Sequence, residues 1–206
     1  VPPHAGYICT PTGTCEIAPC EPGWISYPPG PPKDGCPCQV DAGEPNELCA
    51  NATAAGMVTD APSSTLMLTG TFSSDNDVDV WTFDSVDVDE MTTNSYHLKI
   101  DITSPMPNDA VIMDVIHGDM CTDMPTGTST NIQSYSWCVN GTSEDGLTGE
   151  SPCSDTGGPP NQCNDHSSKY FVIVRRNPAA PITCTSYTIT VVGGSTDACD
   201  FTQKCE

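Results

Sequence analysis

The stretch Asp75-Asn76-Asp77-Val78-Asp79-Val80-Trp81-Thr82-Phe83 has the most chemically informative spacing in the chain. In an extended strand, side chains at 77, 79, 81 and 83 share one face. That face begins acidic and turns aromatic. Two carboxylates cannot sit unpaired beside a Trp–Phe core without a large desolvation cost. Asp77 and Asp79 are therefore expected at a sheet rim, where they meet backbone N–H donors or a hard cation. Calcium suits such oxygen ligands. An EF-hand is excluded, because its sixth position requires Gly and holds Val80, and its twelfth requires Glu and holds Val86. A calcium site here needs ligands from elsewhere, and Glu44-Pro45-Asn46-Glu47 is the best source. The competing reading is a rim of carboxylates capped by backbone N–H groups, with no metal.

The elements that must position these residues are strands. From about residue 57 apolar residues recur at every second position, the mark of half-buried strands. Leu66 and Leu68 alternate with Met67 and Thr69, and Tyr96, Leu98, Ile100 and Ile102 follow the same period. Val78–Phe83, Val111–Ile116, Tyr170–Val174 and Tyr187–Val191 read as further strands, and Ile132–Val139 as an added one. Turn chemistry at Ser74-Asp75-Asn76, at Pro105 and Pro107, and at Gly193-Gly194 separates them. No segment has convincing helical periodicity, although Asn46 could cap a short turn over Glu47–Ala55. Six to eight strands without long helices predict an all-β, antiparallel β-sandwich, arranged as a meander or jelly roll.

Two segments depart from that pattern. Residues 1–40 carry five cysteines and ten of the 20 prolines. Proline breaks helices and cannot donate to a ladder, so an irregular, cross-linked head or arm is expected there. Five is odd, so one head cysteine must pair outside the head or stay unpaired. The remainder, 41–206, reads as the sandwich with a polar, cysteine-rich insertion at 117–167. Cys199–Cys205 reads as a small terminal closure.

Thirteen cysteines without a CxxCH or paired CxxC signature point to an oxidising compartment and disulfides. Cys36 and Cys38 with Cys15 and Cys20 have the wrong spacing for common zinc modules. The chain begins at Val1 with no apolar leader segment, which reads as a mature secreted form. No apolar run approaches the roughly 20 residues of a membrane-spanning helix. Twenty-seven acids against six Lys plus Arg give a net charge of −21. Phosphate backbones and anionic membranes are repelled by such a surface, while cations are its natural counter-partners.

The strand motifs resemble a known family. Glu44-Pro45-Asn46-Glu47, then Gly70-Thr71-Phe72, then Asp77-Val78-Asp79-Val80-Trp81-Thr82-Phe83 look like the bacterial pre-peptidase C-terminal domain. Tyr170–Val174 and Tyr187–Val191 would be its closing pair of strands. The resemblance covers about residues 41–193 and implies a jelly-roll-like sandwich. In related collagen-binding modules the acidic positions bind calcium. Carried over by position, this implies Glu44, Asn46, Asp77 and Asp79 as ligands, with Asp75 as a further addition. The head and the 117–167 insertion lie outside the family's usual pattern. Such domains usually follow a secreted peptidase, which this chain does not contain.

No catalytic set is visible. His4, His97, His117 and His166 stand in neither a G-x-S-x-G nor an H-E-x-x-H context. His97 alternates away from the core face of its strand and is expected toward solvent or an opposing layer. Tyr7, Trp24 and Tyr27, set among prolines, could stack on a partner or a sugar, or form the head's own small core. Trp81 is expected in the sandwich core and Trp137 against a disulfide. Asn51 and Asn140 open N-x-T sequons.

The sequence thus predicts a non-enzymatic extracellular structural or adhesive protein, stabilised by calcium. Its partners would be other copies of itself, another extracellular protein or a polysaccharide. Self-assembly into a filament or surface layer would run through the head. The alternatives are a monomeric secreted binding module and a carboxylate-based hydrolase.

Overall fold

The computed structural model describes residues 2–27, 32, 34–41, 43–74, 76–88, 96–105, 110–121, 128–139, 166–180 and 184–195. Asp75, Pro107 and Asn140 lie outside the described residues, as do Cys153, Cys163, Cys199 and Cys205 and with them most of the insertion.

The head contains two small antiparallel ladders. Strand β1 (Tyr7–Cys9) pairs with β2 (Cys15–Ile17), and β3 (Trp24–Ile25) pairs with β4 (Cys38–Gln39). A 3-10 turn follows at Cys49–Asn51. Nine strands then build the sandwich: β5 (Thr53–Thr59), β6 (Ser64–Phe72), β7 (Val78–Val86), β8 (Tyr96–Thr103), β9 (Val111–His117), β10 (Thr128–Ile132), β11 (Ser134–Val139), β12 (Ser168–Arg176) and β13 (Thr185–Gly193). One sheet has the order β10-β9-β12-β7-β5, and the other β11-β8-β13-β6. The fold is the all-β sandwich expected.

Among the described strands of the sandwich the chain crosses between sheets after nearly every strand, and only β9 and β10 are both consecutive and paired. A meander is therefore excluded, and the jelly-roll-like arrangement holds. Pairing is antiparallel except between β5 and β7, which run parallel. The helical turn expected over Glu47–Ala55 shrinks to three residues, because Thr53 already begins β5. Leu48 occupies the cap position with no side-chain hydrogen bond. Asn46 is used elsewhere.

Alternation sends Leu68 and Phe72 of β6, Trp81 and Phe83 of β7, Leu98 and Ile100 of β8, Val172 and Val174 of β12, and Ile189 and Val191 of β13 into one core between the sheets. Each such side chain contributes about 1.5–3 kcal/mol by leaving water. The outer face of the five-stranded sheet is apolar as well. There Val80, Ile116, Cys121 and Phe171 form a second cluster, against which Cys49 and Ala52 pack. A Cys49–Cys121 disulfide ties this covering segment to the end of β9.

Three further disulfides join Cys9–Cys15, Cys20–Cys36 and Cys38–Cys184. The third resolves the odd cysteine count of the head, because it fastens β4 to the segment just before β13. The four thiols weighed as zinc ligands, Cys15, Cys20, Cys36 and Cys38, are all in bridges. Among the described residues no helix is long and apolar enough to cross a membrane. The disulfides fit a secreted or extracellular protein.

Of the two surroundings expected for His97, solvent or an opposing layer, the structure excludes solvent. His97 does point away from the inter-sheet core, yet it is buried, at 4% exposure. Its Nδ1 donates to the Ser195 carbonyl at 2.9 Å, and Nε2 lies 2.9 Å from the Ser136 hydroxyl. A carbonyl can only accept, so Nδ1 carries a proton and, in the neutral ring, Nε2 accepts from Ser136.

Candidate metal centre

The acidic face of β7 begins at Asp77 and Asp79, at the end of the core where the linker from the head arrives. Asp79 points inward with Trp81 and Phe83, as its register requires. It is fully buried, at 0% exposure, instead of sitting on an open rim. What makes this tolerable is Tyr187 of β13. Its hydroxyl donates to Asp79 Oδ2 at 2.6 Å and accepts from Trp81 Nε1 at 2.9 Å. The other carboxylate oxygen, Oδ1, is out of water and has no hydrogen-bond partner.

Three residues of the linker bring further oxygens to the same place. Asp41, two residues past β4, accepts the Thr71 N–H at Oδ2, 3.2 Å away, and leaves Oδ1 buried without a partner. Glu44 accepts the Asn46 N–H at Oε2, 3.3 Å away, and leaves Oε1 in the same condition. Asn46 is wholly buried. Its backbone carbonyl accepts from Val80 N at 3.0 Å, which locks the linker onto β7. Its amide nitrogen donates to Thr53 Oγ1 at 3.4 Å, and Oδ1 is buried without a partner.

Asp41, Glu44 and Asp79 each offer an oxygen within 4.8 Å of the other two. Two oxygens bound to one calcium at about 2.4 Å can be at most about 4.8 Å apart, so a single ion can reach all three. Four buried oxygens without partners, three of them on carboxylates, are costly if nothing meets them. A hard cation, which takes six to eight oxygen ligands, would meet the three carboxylate oxygens together. The donor set contains neither sulfur nor imidazole, which favours calcium over zinc or copper.

The electrostatics agree. Burial, and then the charges of Asp77, Asp41, Glu47 and Asp79, push Glu44 up to about 7. Burial, with the Asp41 and Asp77 charges, also raises Asp79 to about 7 against the opposing Tyr187 hydrogen bond. Asp41 is raised chiefly by burial. Each group is held away from ionisation by its neighbours, and a divalent cation reverses that pressure.

Of the residues singled out in the sequence, Glu44 and Asp79 converge, and Asn46 is buried on the same linker with Oδ1 unpartnered. Asp77 is buried beside them, and one of its oxygens accepts the Ser73 N–H. Asp75 lies outside the described residues. Sequence reasoning missed Asp41, although Asp41-x-x-Glu44-x-Asn46 is a regular oxygen-bearing spacing. It also missed Tyr187 and Thr53, which act across long separations. Gly70 has a physical reason to be glycine. A Cβ there would overlap the Tyr187 hydroxyl and lie 2.8 Å from Asp41 Oδ2.

The three aromatic residues of the head separate. Tyr7 is exposed at 58%, as is its neighbour Ile8 at 61%. Trp24 is half-buried and stacks on His4 with ring centroids 3.2 Å apart, so it belongs to the head's own small core. Tyr27 is half-buried. Trp81 is in the sandwich core. Trp137 packs edge-on against Tyr96 and His117, and the side chain of Cys138 lies outside the described residues. No protein-family model, curated protein or solved structure matches this chain.

Proposed function

We propose that this chain is a non-enzymatic extracellular module in which a calcium ion stabilises the sandwich and fixes the linker that carries the head. The observation that carries this reading is the convergence of Asp41, Glu44 and Asp79 within 4.8 Å of one another, each with a buried carboxylate oxygen that has no partner. The resemblance of the EPN and D-x-D strand motifs to pre-peptidase C-terminal and collagen-binding modules supports it. In this reading Asp41, Glu44, Asn46 and Asp79 hold the ion, and Asp77 adds negative charge beside it. The role of the whole is structural or adhesive. The sandwich is the rigid unit, and the exposed Tyr7–Ile8 hairpin of the head is where it meets another copy or another extracellular partner.

The test is thermal unfolding in calcium and in chelator. A ligand that binds only the folded state at a concentration 100 times its Kd adds about 2.7 kcal/mol. For a chain of this size that raises Tm by on the order of 5–10 °C. Asp79→Asn should remove most of the rise. Identical melting with and without calcium would falsify the metal assignment.

A further inference from the structure

At the opposite end of the sandwich the strand register assembles a second polar cluster that the proposed calcium site does not use. β5 runs parallel to β7 with Thr59 opposite Val86, so the next residues, Asp60 and Asp87, fall side by side. β12 runs antiparallel to β7 with Ser168 opposite Ser85, so His166 falls opposite Asp87. Three adjacent strands thus end on two carboxyls and an imidazole. Asp60 is 9% exposed and the Asp87 side chain 2%. The Asp87 charge acts on Asp60 across this pairing, so a proton held by either carboxyl relieves the repulsion between them. Asp60 Oδ1 also accepts the Val88 N–H at 2.9 Å. Asp87 Oδ2 accepts the His166 N–H at 2.9 Å and lies 3.1 Å from His166 Nδ1.

We propose that Asp60, Asp87 and His166 form a proton-operated clasp that closes this end of the five-stranded sheet in mildly acidic solution and slackens above neutrality. With one proton between the carboxyls and one on the imidazole, the cluster is neutral and every contact is attractive. With both removed, two carboxylates face each other in a site closed to water, and the imidazole no longer offers a charge. Burial first, and the Asp87 charge after it, lift Asp60 to about 6 despite the Val88 hydrogen bond. A carboxyl raised in the folded state stabilises the fold at low pH, and that contribution is lost as pH rises through about 6.

The other titratable groups facing the cluster, among the described residues, do not supply the switch. Tyr96 at the start of β8 is pushed up to about 12, chiefly by burial, and stays neutral. His117 at the end of β9 is held below its usual range by burial and by the nearby His166. Lys169 of β12 is engaged with Asp84 at 2.6 Å.

Hydrogen exchange reads the clasp directly, because the Val88 and His166 amides both donate into it. The full chain, kept saturated with calcium, is compared at pH 5 and pH 7.5. Protection factors are corrected for intrinsic exchange and referenced to core amides of β13. In the wild type, protection at Val88 and His166 should fall at least tenfold at the higher pH. In Asp60→Asn, which cannot ionise, it should stay level. A level response in the wild type, or an equal fall in Asp60→Asn, overturns the proposal. If that variant does not fold, carboxyl carbon shifts of the wild type decide the matter. Two separate steps with the upper near 6 support the clasp, and both carboxyls titrating near 4 overturn it.

Discussion

Asp79 is the residue on which the cation site turns. Tyr187 holds one of its oxygens, and the other is buried without a partner. Tyr187→Phe should therefore weaken calcium binding by roughly 10–100-fold, as loss of a group that orients a metal ligand generally does. Calorimetric titration of the variant checks this. Gly70→Ala should lower stability by about 1–3 kcal/mol, because an added methyl must displace the Tyr187 hydroxyl and Asp41. Chemical denaturation measures that cost. The pH dependence of the chelated protein follows from Glu44 and Asp79, both raised to about 7. Groups raised in the folded state stabilise below their unfolded values near 4 and lose that contribution as pH rises through about 7. The melting temperature in chelator should fall between pH 5 and pH 8. Saturating calcium should reduce the fall, because metal competes with protons for the same oxygens.

At the scale of the element, the strands were legible because alternation is a local signal. Tyr96–Ile102 and Tyr187–Val191 declare their inward faces residue by residue, and the acidic opening of β7 marks where that strand leaves the core. The parallel pairing of β5 with β7 was not legible, since a partner choice between distant segments leaves no trace in either. Thr53–Thr59 was hidden for a related reason. Its inward residues are small or half-exposed, apart from Val58. For His97 alternation gave the side of the strand and left open what covers that side. The same limit hid Asp41 and Tyr187. One precedes the acidic motif across a turn of the linker, and the other approaches from the opposite sheet. The packing of β8 makes its own prediction. Leu98→Ala, at a position with 0% exposure between the sheets, should cost about 2–5 kcal/mol in a denaturation experiment.

For the whole molecule, the described residues join the head to the sandwich both covalently and through the linker. The Cys38–Cys184 bridge is covalent, and the linker 41–46 is fixed through Asn46, whose carbonyl accepts from Val80. The charge is divided unevenly between the two parts. Residues 1–40 contain Glu16, Glu21 and Asp34 against Lys33, while the sandwich carries nearly all of the −21. Sandwiches so acidic repel one another, so contact between copies is expected through the nearly neutral head. If Tyr7 and Ile8 make that contact, sedimentation of the native protein in calcium should reveal assemblies that Tyr7→Ser with Ile8→Ser disperses. A wild-type chain that sediments as a monomer at all concentrations would assign the head to a different partner.

The most direct test of the central claim is isothermal titration of calcium into chelator-treated protein at pH 7.5. The account predicts one saturable site per chain, with a Kd at or below the roughly 0.1–1 mM range of extracellular calcium modules. It further predicts loss of that site in Asp79→Asn while the four disulfides of the described residues stay intact. No saturable binding at several millimolar calcium, or binding that Asp79→Asn leaves unchanged, would contradict it.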